Sequence, residues 1–314
     1  MTDMSPSTPG IHHVTAIGAD PGQNRQFYTE TLGLRLVKRS VNQDDPSVYH
    51  LFYGDREGNP GTSMTVFPYP GATPGESGSG QATTVQFTIP GAAVEFWLDR
   101  LDEAGIDREE PIERFGDTVI PLRDPDGLAL ELVGTDAPAG SPPAGPVPEA
   151  HAIRGFFGVT LTVASDEGFT GLLEAMGYRE TDRTAARTRY ESSGELGAVL
   201  DVQVDPEAPR GRQGAGTVHH VAFRVGESTQ AEWRALLQDR GLRPTEVIDR
   251  KWFESVYART PAGILFEFAT AEPGYTVDES LEDLGTKLVL PDWLEDRRAE
   301  IEAELPPLDG TVDA

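Results

Sequence analysis

The sequence of 314 residues contains no cysteine. This absence excludes a disulfide framework, a cysteine nucleophile and a thiolate metal ligand. Any bound metal must therefore be held by histidine, carboxylate or hydroxyl groups. Histidine is also scarce, with six residues in the whole chain, so a repeated pattern among the histidines carries information.

Positive charge is the second scarcity. The chain has 26 basic and 52 acidic residues, which gives a net charge of −26, and its only lysines are Lys38, Lys251 and Lys287. A field of this sign repels nucleic acid and anionic lipid, so neither is expected as a partner. The acidic residues are scattered along the chain, which is typical of the solvated surface of halophilic proteins.

Long apolar runs are missing as well. No stretch approaches the roughly 20 apolar residues that a membrane-spanning helix requires. The segment from Met1 to Gly10 has no basic patch followed by an apolar region, as a secretory signal would. The sequence therefore predicts a cytoplasmic protein with no membrane partner.

Proline, glycine and alanine are concentrated between Thr135 and Ala150, where they predict an irregular segment between two similar halves. We predict an N-terminal domain over 1–135, a linker over 136–150, a C-terminal domain over 151–275 and an extension over 276–314. The extension is expected to contain a helix from Trp293 to Leu305.

Each half contains one pattern twice: a short strand, a helix that ends at a glycine, and strands that close on a glycine-led apolar strand. Glycines at these positions favour left-handed helix ends; they are Gly33, Gly105, Gly177 and Gly241. The opening strands are predicted over 11–17, 83–89, 157–163 and 219–225. The expected fold is α+β, with four βαβββ modules forming two domains, each a curved mixed β-sheet cup, barrel-like, with outer helices.

Two histidine pairs begin the opening strands of the first and fourth modules, His12-His13 and His219-His220. Aligning the modules places Thr84 and Gly158 in the column of His13 and His220. A second column, on the closing strands, contains Thr65, Glu131, Asp201 and Glu267. The fourth module alone has both a histidine and a carboxylate, and the first module supplies a further histidine. The alignment therefore predicts a metal site of His13, His220 and Glu267.

Two imidazoles and one carboxylate with open positions are typical of non-haem Fe(II) sites, although the same ligands can hold Mn, Zn or Ni. This site exists only if the first and fourth modules meet in space. The second and third modules would then pair in another cup, where Glu131 and Asp201 have no histidine beside them. We expect no metal in that second cup.

Several motifs resemble the vicinal oxygen chelate superfamily of glyoxalases, bleomycin-resistance proteins and extradiol dioxygenases, and within it the ring-cleaving hydroquinone dioxygenases. The resemblance runs from about Gly10 to the C-terminus. It rests on segments that include Gly10-Ile-His-His-Val-Thr, Tyr49-His-Leu-Phe-Tyr-Gly-Asp, Arg259-Thr-Pro-Ala-Gly-Ile-Leu-Phe-Glu and Pro273-Gly-Tyr-Thr-Val-Asp-Glu.

The resemblance implies the same three iron ligands, His13, His220 and Glu267. It also implies an acid-base role for His219 and a pocket tyrosine at Tyr257, which could help to move a proton. Substrate contacts are implied for His12 and Arg250. Thr15 lies two residues beyond His13, on the same face of the strand, and could also contact substrate. His12 and His219 would face away from the site on an ideal strand, but a twisted strand end or a bulge would permit them to take part.

The implied function is an Fe(II)-dependent dioxygenase that opens an aromatic diol of hydroquinone or catechol type with O2. Two alternatives remain open at this point. One is a glyoxalase-like metal-dependent isomerase or thiol transferase, and the other is a metal-free binding protein of the bleomycin-resistance type. The expected partners are a small aromatic substrate and O2, and a homo-oligomer is compatible with the sequence.

Overall fold

The computed structural model of the protein describes residues 6–136 and 140–308. The beginning of the predicted N-terminal domain, part of the predicted linker and the end of the predicted extension lie outside these residues. Within them, no helix has both the length and the apolar character needed to cross a membrane.

Four βαβββ modules follow one another along the chain, as the repeat predicts. The first contains β1 (Ile11–Gly18), α1 (Pro21–Gln26), β2 (Arg35–Asn42), β3 (Asp45–Gly54) and β4 (Ser63–Pro68). The second contains β5 (Gln81–Pro90), α2 (Val94–Glu103), β6 (Ile112–Arg114), β7 (Asp117–Arg123) and β8 (Ala129–Thr135). The predicted opening strands are confirmed to within two residues at each end.

The second half repeats the arrangement. The third module contains β9 (Gly155–Val163), α3 (Phe169–Ala175), β10 (Arg179–Arg183), β11 (Arg187–Glu191) and β12 (Val199–Val204). The fourth contains β13 (Thr217–Arg224), α4 (Gln230–Asp239), β14 (Ile248–Asp249), β15 (Glu254–Arg259) and β16 (Leu265–Ala269). The four glycines predicted at the helix ends have φ angles of 72°, 65°, 98° and 75°, a region that favours glycine.

The strands form two curved eight-stranded mixed sheets. Sheet one has the order β14-β15-β16-β13-β1-β4-β3-β2, and sheet two has the order β10-β11-β12-β9-β5-β8-β7-β6. In sheet one, the opening strands β1 and β13 pair antiparallel, and each pairs in parallel with the closing strand of its own module. The first and fourth modules therefore meet, as the predicted metal site requires.

Each sheet contains strands from before and after the predicted linker. The two sheets therefore do not correspond to the two halves of the sequence. The proposed domain limits at 135 and 151 describe the sequence repeat and stay a prediction. The main apolar core extends through all four modules and includes buried helix residues such as Trp97 and Trp233. Trp233 stacks on Phe268 with 4.7 Å between ring centroids, which fixes α4 against sheet one.

The C-terminal extension folds back on sheet one. A 3-10 helix (Asp292–Arg297) continues into α5 (Arg298–Glu304), in agreement with the predicted helix. Leu294 and Ile301 pack against Val41 of β2 and Leu290. The apolar side of this helix is therefore covered by the protein's own chain.

Candidate metal centre

Two β-bulges shape the centre of sheet one. Along the β1–β13 pair, Ile11 lies opposite Phe223 and His13 opposite Ala222, so His12 is an extra residue in β1. Further along, Thr15 lies opposite His220 and Ala16 opposite Val218, so His219 is an extra residue in β13. A bulge interrupts the alternation of side chains. Each histidine pair consequently has both rings in contact, and of the two features that would permit this, a twisted strand end or a bulge, the structure has the bulge.

The same bulges occur in sheet two, where Thr83 and Phe157 are the extra residues of β5 and β9. These positions correspond to His12 and His219 in the module alignment. The bulges thus belong to the architecture of the module. Only the first and fourth modules have histidines there.

The three predicted ligands converge at the middle of sheet one. His13 Nε2 lies 3.2 Å from His220 Nε2 and 3.3 Å from Glu267 Oε2, and His220 Nε2 lies 2.8 Å from the same oxygen. One ligand atom from each residue lies within 4.8 Å of the others, and all three side chains are buried. Within the described residues, this is the group of histidine and carboxylate side chains that could hold a metal ion.

The environment of Glu267 fits a cation at this point. Its Oε2 atom is buried and has no hydrogen-bond partner with suitable geometry, although two ring nitrogens are close. Its other oxygen accepts a hydrogen bond from Ser255 Oγ. Burial raises the pKa of Glu267, but His13 and His220 outweigh that effect, and the pKa lies well below its usual range. The carboxylate is therefore ionised, and its free oxygen faces the two imidazoles.

The first histidine of each pair supports the second. His12 Nδ1 is 3.0 Å from His13 Nδ1, and His219 Nδ1 is 2.8 Å from His220 Nδ1. Burial, together with the neighbouring imidazole, lowers the pKa of both His12 and His219 to about 3, and burial also lowers the pKa of His220. In the tautomer in which His13 and His220 donate from Nδ1 to His12 and His219, the Nε2 atoms of His13 and His220 are available to bind a metal.

Thr15 is placed on the same face as His13, as the strand alternation predicts. Its Oγ1 atom is 2.9 Å from His220 Nε2 and 2.7 Å from Thr65 Oγ1. Thr65 Oγ1 is also 3.0 Å from His50 Nε2. A polar chain therefore leads from the ligand His220 to His50, a residue to which the sequence assigned no ligand role.

A cavity of about 200 Å³ opens beside the ligands. A cavity of about 150 Å³ is enough to hold one benzene ring. Its lining combines the three ligands, polar residues and an aromatic wall: His13, Asn42, Gln43, Asp44, His50, Phe52, Phe67, Tyr69, His219, His220, Arg250, Trp252, Phe253, Tyr257 and Glu267. Such a site suits a small planar molecule with polar substituents.

Tyr257 and Arg250 lie together at one side of this cavity. Arg250 Nε donates to the Tyr257 hydroxyl at 3.2 Å, and its guanidinium lies 5.3 Å from the ring centroid. Burial raises the pKa of Tyr257, and the negative charge of Glu267 adds to the effect. The phenol thus keeps its proton at neutral pH and can donate a hydrogen bond.

The predicted site residues divide into two groups by position. His219, Tyr257 and Arg250 line the cavity together with the three ligands. His12 and Thr15 are not among the lining residues; the ring of His12 contacts those of His13 and Phe253, at 5.1 Å and 5.2 Å. The substrate-binding role predicted for His12 has no support in this geometry and stays untested.

Sequence reasoning missed two features of the site. Ser255 lies two residues before Tyr257 on β15, so strand alternation could have placed it beside Glu267. The hairpin residues Gln43 and Asp44 meet Arg250 across the cavity, with Asp44 Oδ2 3.3 Å from Arg250 Nη2. That contact joins residues more than 200 positions apart and has no local signal.

The second cup is filled by arginines. Arg114 donates two hydrogen bonds to Glu131, at 2.6 Å and 2.9 Å, and Arg189 donates two to Asp201, at 2.9 Å and 3.2 Å. A Cβ atom at Gly158, the position equivalent to His220, would lie 2.1 Å from a backbone oxygen of Val199. Guanidinium groups neutralise the carboxylates here, and no side chain fits at the ligand position.

We expect Asp201→Asn to leave the metal content and O2 consumption unchanged while lowering stability. Arg189 would lose one of its two carboxylate partners and keep Asp117 at 2.8 Å, so the cost should be smaller than the about 3–5 kcal/mol of a buried charge left without a partner. Metal analysis and thermal unfolding of this variant and of Glu267→Gln would check the expectation, since Glu267→Gln should lose metal. Loss of metal from Asp201→Asn would contradict it.

The glyoxalase/bleomycin resistance protein/dioxygenase superfamily pattern matches residues 10–132. The chain is 43% identical over 304 residues to the Bacillus subtilis (strain 168) protein MhqE, named as a ring-cleaving dioxygenase, covering 96% of this chain and 99% of that protein. It is 33% identical to the chlorohydroquinone/hydroquinone 1,2-dioxygenase of Sphingobium indicum, covering 96% of this chain and 97% of that enzyme. The chain belongs to this superfamily.

Solved structures agree with this assignment. A crystal structure of a Bacillus subtilis subsp. subtilis str. 168 protein described as a dioxygenase superposes with a TM-score of 0.93 at 40% identity, covering 96% of this chain and 98% of that one. Glyoxalase I from Zea mays has a TM-score of 0.63 at 16% identity, covering 83% of this chain and 92% of that one, and shares the fold. Relatives named ring-cleaving dioxygenases support an enzyme of the dioxygenase class.

Proposed function

We propose that the protein is an Fe(II)-dependent ring-cleaving dioxygenase that uses O2 to open an aromatic diol of hydroquinone or catechol type. The observation that carries the proposal is the convergence of His13, His220 and Glu267 beside an aromatic-walled cavity. Two imidazoles and a carboxylate form the ligand set of non-haem Fe(II) sites. Relatives named a ring-cleaving dioxygenase and a chlorohydroquinone/hydroquinone 1,2-dioxygenase support it.

Iron bound by these residues would supply the oxygen chemistry, and the protein's own side chains would orient the ring and handle protons. The Tyr257 hydroxyl, held by Arg250, is positioned to donate to a substrate oxygen. His219 borders the cavity, and with its Nδ1 accepting from His220 the neutral ring carries its proton on Nε2, which could donate a hydrogen bond to a substrate oxygen. The aromatic residues Phe52, Trp252 and Phe253 would contact the ring and exclude water.

His12 has a different proposed role. Its Nδ1 meets the Nδ1 of His13, so it would accept the ligand's proton and hold that ring in the metal-binding tautomer. His219 would do the same for His220 while also contacting substrate. We therefore treat His12 as a positioning residue and His219 as a residue with two duties.

Metal removal tests the proposed function directly. Protein purified without oxygen should contain iron, and a chelator should abolish O2 uptake with hydroquinones and catechols because carboxylate and imidazole side chains cannot bind O2 unaided. Added Fe(II) should restore uptake, and Zn(II) should not. Measurements with an oxygen electrode and metal analysis would check both results.

Other outcomes would identify a different protein. Nickel or zinc in the purified protein, with turnover that needs no O2, would indicate a glyoxalase-like isomerase or thiol transferase. Protein that binds no metal under any of these conditions would indicate a binding protein. Either result would refute the dioxygenase assignment.

A further inference from the structure

Lys38 is a fully buried lysine on β2, in a chain with only three lysines. On the neighbouring strand β3, Tyr53 lies opposite Leu36, and the next residue back, Phe52, lies opposite Lys38. Val37 is therefore an extra residue of β2 and forms a third bulge in sheet one. Val37 belongs to a small apolar cluster with Phe52 and Trp252. The Lys38 ammonium lies 5.5 Å from the centroid of the Trp252 ring. A buried lysine in such surroundings requires partners for its charge.

Those partners come from the segment that follows the fourth module. Lys38 Nζ donates to the Tyr275 carbonyl oxygen at 2.9 Å, to Asp278 Oδ1 at 2.6 Å and to Glu279 Oε2. All three ammonium protons therefore have an acceptor. The Glu279 side chain is completely buried, and Asp278 is mostly buried.

Asp278 connects this ion cluster to the cavity wall. While its Oδ1 binds Lys38, its Oδ2 accepts a hydrogen bond from Trp252 Nε1 at 3.0 Å. Trp252 lines the cavity, whereas Lys38 and Asp278 do not. The hydrogen-bonded route from Lys38 to the indole nitrogen of Trp252 runs through Asp278.

Tyr275 braces the same wall. Its ring lies 5.3 Å from that of Phe52 and 6.2 Å from that of Trp252, and its hydroxyl is 3.1 Å from Ser63 Oγ. Phe52 also lines the cavity. The segment from Tyr275 to Glu279 therefore packs behind two members of the aromatic wall, and Lys38 is the cation that binds it there.

We propose that Lys38 is a positioning residue for substrate binding, which fixes Trp252 in the aromatic wall through Asp278. This inference rests on the proposed function, because it assumes that the aromatic wall binds the ring of the substrate. Lys38 touches neither the ligands nor the cavity, so its loss should change the affinity for the ring and leave metal binding intact. A buried ion pair is weak evidence for stability alone, since apolar replacements often serve as well.

Three variants separate positioning from stability. Asp278→Ala removes the indole's acceptor and keeps the Lys38–Glu279 pair. Glu279→Gln is the matched control, because it also removes a carboxylate from Lys38 but does not touch Trp252. Lys38→Met would leave Glu279 without its cation and Asp278 with Lys251 alone, at 3.6 Å, so it is combined with Glu279→Gln to keep the protein folded.

We expect Asp278→Ala and the double variant Lys38→Met/Glu279→Gln to raise KM for the aromatic substrate about 10-fold, as loss of a hydrogen bond to a charged group would, with kcat changed less than about threefold. Glu279→Gln should keep KM within about twofold, and all variants should bind metal fully. In a Trp252→Phe background, Asp278→Ala should raise KM no further, because coupled residues are not additive.

Tryptophan fluorescence provides a readout that needs no turnover. The difference between wild type and Trp252→Phe gives the emission of Trp252, which should shift to the red and become more accessible to acrylamide in Asp278→Ala and in the double variant. Unchanged Trp252 emission, or an equal rise of KM in Glu279→Gln, would overturn the proposal. If wild type consumed no O2 with any diol, the proposed function would fail while the fluorescence comparison still tested the role of Lys38.

Discussion

The His220→Ala variant is expected to lose its metal and, with it, O2 uptake. His220 Nε2 is the atom closest to Glu267 Oε2, at 2.8 Å, and also contacts His13 Nε2 at 3.2 Å. Its removal leaves one imidazole and one carboxylate. Mutation of a residue that is hydrogen-bonded to a metal ligand lowers metal affinity or activity about 10- to 100-fold. Removal of the ligand His220 itself should lower both by more than this.

Metal analysis and an oxygen electrode would measure this result, with circular dichroism to show that the fold is intact. His151→Ala is the matched control. His151 stacks on Phe96 at 4.3 Å, away from the ligands, so its loss should leave metal and uptake unchanged. Normal turnover by folded His220→Ala would refute the metal site.

The four modules could be predicted from the sequence because each repeats the same local signals. Glycines such as Gly33 and Gly105 have left-handed φ angles at the helix ends, and this chemistry depends only on neighbouring residues. The pairing of the first module with the fourth could also be predicted, since the two histidine pairs have a shared use only if their strands meet. The sheet order confirms that pairing.

The three metal ligands could be predicted by aligning equivalent residues of the four modules. The shape of the cavity could not be predicted in this way. Gln43 and Asp44 reach Arg250 from a hairpin whose position depends on the packing of two modules distant in sequence. Lysine is rarely buried, yet Lys38 is fully buried, next to a bulge of β2. Contacts of this kind depend on tertiary structure and have no signature in local periodicity.

The second cup illustrates the same distinction. The sequence showed that Glu131 and Asp201 lack histidines, and this was enough to expect no metal there. It did not show that Arg114 and Arg189 bind those carboxylates, because Arg189 meets Asp201 on the adjacent strand β12 and Arg114 on β6 reaches past β7 to Glu131 on β8. The sequence alone showed that the second cup lacks histidine ligands, whereas only the structure showed which residues pair with its carboxylates.

His12→Ala and His219→Ala should both weaken metal binding about 10- to 100-fold, since each removes the acceptor that fixes a ligand's tautomer. The contacts that support this expectation are His12 Nδ1 to His13 Nδ1 at 3.0 Å and His219 Nδ1 to His220 Nδ1 at 2.8 Å. Titration of each metal-free variant with Fe(II) would measure the effect. Thr83→Ala is the matched control, because Thr83 occupies the same bulge in sheet two, without a metal centre.

The two variants should differ once the iron site is saturated. His12 lies outside the cavity, so His12→Ala should regain most of the wild-type kcat at high Fe(II). His219 borders the cavity, so His219→Ala should remain impaired by about 10²–10⁴-fold, the usual contribution of a positioned acid or base. A persistent defect in iron-saturated His12→Ala would instead support the substrate contact that the resemblance implies for His12. Full recovery of His219→Ala would show that its only duty is to hold His220, because the chemistry would then proceed without its ring.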